Sequence, residues 1–260
     1  MHAPLAGSMT TAPGGAPRGA PPVLADPGTV RRMSDTARGM RVTIRKDGPY
    51  LVSGRVPMAN LAIRVDDRGE STEWGEGERY PLQEQYALCR CGHSATKPFC
   101  DAAHKRIGFD GTETASRRPY LEEARRIDGP SISLTDAESL CAYGRFCDAQ
   151  GTAWRRATEA GREAAEVVKR ESRNCPGGRL VAWENAAPLE PEYAPSIGLV
   201  EDPALGVSGG ILVRGGIELV GADGARYETR NRMALCRCGA SRNKPFCDGS
   251  HAEVKFRDDL

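Results

Sequence analysis

The chain has 260 residues, of which 39% are hydrophobic and only 6% aromatic, so its cores are predicted to be modest and divided over two or three small domains. A formal net charge of +1 excludes the strong field of one sign that would select nucleic acid or a membrane surface. Nine cysteines fall into three groups of three with no secretory signal, which points to metal binding in a reducing, cytoplasmic setting and away from a disulfide framework.

In chain order, residues 1–40 are rich in Ala, Gly and Pro and read as a disordered tail, with Met33 and Met40 as alternative starts. Residues 41–112 form a first β-rich unit. The alternating Arg41-Val42-Thr43-Ile44-Arg45, the turn at Asp47-Gly48-Pro49 and the run Tyr50-Leu51-Val52 predict short strands. Leu61 to Val65 and Tyr80 to Leu88 predict further strands, with Trp74-Gly75-Glu76-Gly77 read as a turn between them. The unit ends in Cys89-Arg90-Cys91, followed by Cys100 and His104.

Residues 113–187 hold the remaining cysteines, Cys141, Cys147 and Cys175, the last followed by Pro176. Ala157, Ala160, Ala164, Val167 and Val168 recur at helical spacing and predict a helix from about Trp154 to Ser172, able to fold Cys175 back toward Cys141. Residues 188–205 are proline-rich and acidic and read as a linker. In residues 206–260, Gly210 to Gly215 echoes Gly48 to Gly54, and Cys236-Arg237-Cys238, Cys247 and His251 repeat the first ligand set at identical intervals. Lys97-Pro98-Phe99-Cys100-Asp101 recurs as Lys244-Pro245-Phe246-Cys247-Asp248.

A Cys-x-Cys pair is too tight for an unstrained disulfide, yet both sulfurs can reach one metal. The four-residue step from Cys100 to His104, and from Cys247 to His251, suits one helical turn, with Asp101 and Asp248 at the cap or first turn. Two ligands from a tight turn and two from a helix face divide over two irons as a 2Fe-2S site. The alternative, one tetrahedral zinc held by Cys3His, uses the same residue types, although zinc sites usually space paired cysteines two to four residues apart. His2, His93, His104 and His251 are the only histidines; two serve as ligands and His93 is matched by Ala240, so a solvent-facing side chain is predicted for it. Lys97 and Lys244 could tune a cluster's potential or merely cover the loop. No dinucleotide fingerprint, P-loop or nucleophile elbow is present, and the chain is not read as an enzyme.

The run from Cys236 to His251 resembles a complete CDGSH signature, the motif of mitoNEET-type iron-sulfur proteins, and the first copy departs from it at Ala102-Ala103. The resemblance implies a 2Fe-2S cluster at each of Cys89, Cys91, Cys100, His104 and Cys236, Cys238, Cys247, His251, with the histidine on the outer, solvent-facing iron. It also implies that the two units pair as an intramolecular pseudo-dimer. The middle segment resembles a monocluster ferredoxin in which Gly144 replaces one cysteine, which implies a 3Fe-4S or 4Fe-4S cluster on Cys141, Cys147 and Cys175; the alternative is buried free thiols. The expected fold class is α+β, two small β-rich CDGSH units flanking a small ferredoxin-like domain. The expected function is electron carriage or cluster transfer to a redox partner or an apo-protein acceptor, with no nucleic acid and no membrane as partner. The alternatives are a redox or iron sensor, an electron-transfer subunit of an oxidoreductase complex, and a structural zinc protein.

Overall fold

The computed structural model describes residues 37–258. The tail expected over residues 1–40 falls mostly outside the described residues; residues 37–40 turn into the protein, with Ala37 buried against the main core.

Strands Arg41–Ile44 (β1) and Tyr50–Ser53 (β2) pair antiparallel and bury Val42, Ile44, Tyr50 and Val52, as period-two alternation requires. Met58–Val65 (β3), Ser71–Arg79 (β4), Gln85–Leu88 (β5) and the short helix Ala103–Arg106 (α1) complete the first unit. Trp74 to Gly77 is not a turn. These residues lie within β4, where Trp74 pairs with Ile63 and Gly75 with Ala62, because Trp74, Glu76 and Glu78 continue the alternation of a strand.

The middle segment runs Tyr120–Glu123 (α2), Arg125–Asp128 (β6), Ser133–Asp136 (β7), Ala153–Ala157 (α3), Arg162–Asn174 (α4), Leu180–Glu184 (β8) and Ala187–Pro188 (β9). Strands β6 to β9 make an antiparallel sheet, and Leu134, Leu180 and Ala182 pack against Ala153, Ala165 and Val168 of the two helices. The single helix expected from Trp154 to Ser172 is two. Thr158 caps the end of α3, and Gly161, at φ 108°, turns the chain before α4 begins.

The second unit comprises Ser196–Asp202 (β10), Val207–Arg214 (β11), Glu218–Val220 (β12), Arg232–Leu235 (β13) and Ser250–Glu253 (α5). The linker expected over 188–205 is therefore corrected: β10 stands at the centre of a five-stranded sheet ordered β13-β11-β10-β3-β4. Burial of Ile197 and Leu199, at about 1.5–3 kcal/mol per side chain, outweighs the proline-rich flanks. The two units exchange strands. β3 of the first lies parallel to β10 of the second, and β12 of the second lies parallel to β1 of the first in a sheet ordered β12-β1-β2-β5. Val42, Tyr50 and Leu88 consequently share one core with Ile211, Leu219, Leu235 and Phe246. Among the described residues no helix is long and apolar enough to cross a membrane.

Candidate metal centres

Each ligand set hangs from the end of a sheet strand. Leaving β5, Cys89 N–H donates to Pro98 O at 2.8 Å and Cys100 N–H returns to Ala87 O at 2.9 Å; leaving β13, Cys236 N–H donates to Pro245 O at 2.8 Å and Cys247 N–H to Ala234 O at 2.8 Å. The sulfurs of Cys89 and Cys91 are thereby held 3.8 Å apart, and those of Cys236 and Cys238 3.7 Å apart. Opposite them, Cys100 Sγ lies 3.4 Å from His104 Nδ1, and Cys247 Sγ 3.3 Å from His251 Nδ1. Metal–sulfur bonds of about 2.3 Å in a tetrahedron separate two ligand sulfurs by about 3.8 Å, so each pair is spaced to share one ion. Among the described residues no three His, Cys, Asp or Glu side chains converge on a single metal position. The donors are grouped two and two.

The loops between the pairs are braced alike. Ser94 Oγ donates to Phe99 O at 2.6 Å and accepts from Thr96 N–H, while Ser241 Oγ donates to Phe246 O at 2.7 Å and accepts from Asn243 N–H. Lys97 Nζ donates to Ser94 O at 2.9 Å and Lys244 Nζ to Ser241 O at 2.7 Å, so both lysines close the loop. Asp101 accepts from Ala95 and Ala103 N–H, which hold its carboxyl down at about 2. Asp248 accepts from Arg242 and Ser250 N–H in the same way. The caps themselves are Ala102 and Gly249, both left-handed, so Cys100 and Cys247 precede the helix instead of sharing its face.

Burial pushes the Cys91 thiol up to about 11 and raises Cys100 and Cys247 as well. The hydrogen bond from Cys238 lowers Cys236 to about 7 and raises Cys238 in turn. Thiols packed together away from water ionise fully only beside a cation, which a bound metal supplies. The residues present fit an iron-sulfur cluster in chemistry and in pairing.

Surroundings that the ligand spacing does not reveal make the two sites unequal. Arg90 and Arg237, the central residues of the two Cys-Arg-Cys loops, are both buried. Arg237 pairs with Glu201 at 2.6 Å and with Asp258, and donates to Gly209 O and Val200 O. Arg90 donates to Gly111 O at 2.5 Å and lies against the Tyr50 and Phe109 rings, and among the described residues its Nε and Nη1 have no hydrogen-bond partner. Seven residues after His251 stands Asp258, whereas the matching place after His104 is Gly111. Tyr50 OH, from the first unit, donates to Cys236 O at 2.9 Å and Pro245 O at 3.1 Å in the second. The duplicated arginine was a readable signal for the first of these features; Tyr50 had none.

The outer ligands differ in exposure too. His104 and Cys100 are half-buried, whereas His251 is 3% exposed and burial pushes it down to about 4. The solvent-facing position implied for the histidine is thus not met in the second unit. His93 is exposed as predicted, with Nδ1 2.7 Å from Cys91 O.

Cys141, Cys147 and Cys175 are half-buried and free. Burial pushes the Cys147 thiol up to about 12, with the Asp148 carboxylate and then Cys175 and Cys141 adding to the rise. Close packing joins the loops that carry Cys141 and Cys175: a Cβ at Gly177 would sit 2.0 Å from Leu140 O, and one at Gly144 would sit 2.8 Å from the Pro176 ring. Their thiols do not converge on one metal position.

Residues 47–105 and 208–252 match the family described as iron-binding zinc finger CDGSH type. No curated protein matches the chain.

Proposed function

We propose that residues 47–105 and 208–252, which match the CDGSH family, are two iron-sulfur units, that each holds one 2Fe-2S cluster, and that the chain carries electrons, or delivers clusters, to a partner protein. The observation that supports the cluster over a single zinc is the division of donors into Cys89–Cys91 and Cys100–His104 pairs, repeated in the second unit, each spaced for one ion. One pair would hold each iron, and bridging sulfides would complete both tetrahedra. The strand exchange β3–β10 and β1–β12 supports reading the units as a pseudo-dimer within one chain. Anaerobic purification followed by iron, sulfide and zinc analysis tests the assignment: iron with equimolar acid-labile sulfide is expected, and zinc without sulfide would end it.

The middle cysteines are proposed to hold a third, 3Fe-4S or 4Fe-4S cluster in a ferredoxin-like setting, supported by the packing of Cys175-Pro176-Gly177 on the loop from Leu140 to Gly144. A 3Fe-4S form gives a paramagnetic signal when oxidised, where oxidised 2Fe-2S clusters are silent; a 4Fe-4S form gives one when reduced. Cys175→Ser is expected to abolish that signal while both CDGSH clusters remain. Titration of all three cysteines as free thiols in the purified protein would replace the cluster with buried thiols.

A further inference from the structure

The segment between the two units covers one metal site and leaves the other open. Ala142 is buried against Ala234 and Cys247. A Cβ on Gly249, two residues before His251, would lie 3.1 Å from Cβ of Tyr143, and Asn243 Nδ2 donates to Ser139 O at 2.7 Å. Arg145 fastens the loop with two hydrogen bonds to Asp202 of β10, at 2.5 and 3.1 Å. Under this cover Cys247 and His251 are each 3% exposed. The first unit is built against its own residues, Cys89, Cys91 and Ala103 clustering with Phe109, and its outer pair Cys100 and His104 is half-buried. The rims differ in charge: His104 is followed by exposed Lys105 and Arg106, whereas His251 is followed by Ala252 and exposed Glu253. Arg106 reaches Asp101 at 3.4 Å while its side chain stays 65% exposed, so much of the positive rim faces water.

We propose that the two CDGSH sites divide their roles: the first, at Cys100 and His104, is the exchange face of the molecule, with a basic rim suited to an acidic partner, and the second is closed by the loop from Ser139 to Arg145. This rests on the 2Fe-2S reading above. A cluster under a packed loop meets an external molecule only when that loop opens, whereas a half-buried ligand pair is met directly.

Loss of visible absorbance from the anaerobic holoprotein into excess EDTA, an anionic chelator, at neutral pH tests the division. Two phases of similar amplitude are expected, the second slower by about tenfold or more, equivalent to about 1.4 kcal/mol in barrier. His104→Cys should remove the fast phase and His251→Cys should leave it. Lys105→Glu with Arg106→Glu should slow the fast phase, and Tyr143→Gly with Arg145→Ala should bring the slow phase toward it. A single rate for both clusters in the unmodified protein, or a fast phase that His251→Cys removes, overturns the proposal without recourse to the loop variants. A fast phase indifferent to reversal of the rim charge overturns the acidic partner. Absence of sulfide in the starting protein would instead defeat the cluster reading itself.

Discussion

Gly92 and Gly239 carry a constraint that ligand chemistry alone does not impose. Each follows the second cysteine of its loop with φ near 80°, and a Cβ on either would lie 2.5 Å from the carbonyl oxygen of Cys238 or Cys91 in the opposite unit. The two Cys-Arg-Cys loops therefore touch backbone to backbone. Gly92→Ala is expected to destabilise the protein by about 2–4 kcal/mol, and Gly239→Ala similarly, from left-handed strain plus a displaced loop. Gly108→Ala is the control, since Gly108 shares a positive φ but has nothing within 4 Å, and it should cost only about 1 kcal/mol. Denaturant unfolding compares them; equal losses at Gly92 and Gly108 would show that the loops do not constrain each other. The pairing of Cys89 with Cys91 and of Cys236 with Cys238 was legible because a Cys-x-Cys spacing holds two sulfurs close enough to share one ion. The contrast between Arg90 and Arg237 was not. Both copies read Cys-Arg-Cys, and the difference lies in Gly111 against Asp258 and in Glu201, supplied by a strand outside the motif.

Helix α4 shows how an element can be read correctly on one face and missed on another. Ala164, Val167 and Val168 gave its buried stripe, but Glu171 is equally buried, at 1% exposure. Its Oε1 accepts from Gln150 N–H at 3.0 Å, its Oε2 has no hydrogen-bond partner among the described residues, and burial pushes the carboxyl up to about 7. A folded-state value above the unfolded one, about 4.3, means that the unfolded chain ionises first. Stability falls as pH rises between the two values, and the loss is complete above the folded one. Glu171→Gln should match the unmodified protein near pH 4 and exceed it by on the order of 3 kcal/mol at pH 8. Denaturant midpoints at several pH values check this, and a difference independent of pH would refute it. Elements were hardest to read where their partners are distant in sequence. β10 carries the apolar run Ile197-Gly198-Leu199-Val200, but its neighbours Pro195 and Pro203 suggested a linker, and its pairing with β3 leaves no trace in local pattern.

At the scale of the whole molecule, a duplicated motif has become two unlike sites within one shared core. Strand exchange ties the units together, so charges contributed from outside the motif distinguish them permanently. In the second unit the cation of Arg237 is met by Asp258 and by Glu201, which burial pushes up to about 7. In the first, among the described residues, Arg90 has no carboxylate among its hydrogen bonds, and exposed Asp110 acts on it through charge without a paired contact. Reduction adds one negative charge to a cluster, and a buried cation without a paired carboxylate favours that step. One unit charge at an assumed 10 Å, with an effective dielectric constant of about 20, is worth roughly 1.7 kcal/mol, or more than tenfold in the electron equilibrium. On the proposed 2Fe-2S reading, the first cluster should therefore be reduced before the second in a potentiometric titration followed by paramagnetic resonance. His104→Cys assigns the midpoints, because an anionic thiolate in place of imidazole lowers the first cluster's potential and leaves the second where it was. Asp258→Asn should raise the lower midpoint toward the higher by freeing Arg237 of one carboxylate. Coincident midpoints in the unmodified protein, or movement of the higher midpoint in Asp258→Asn, would show that the buried arginines do not set the order.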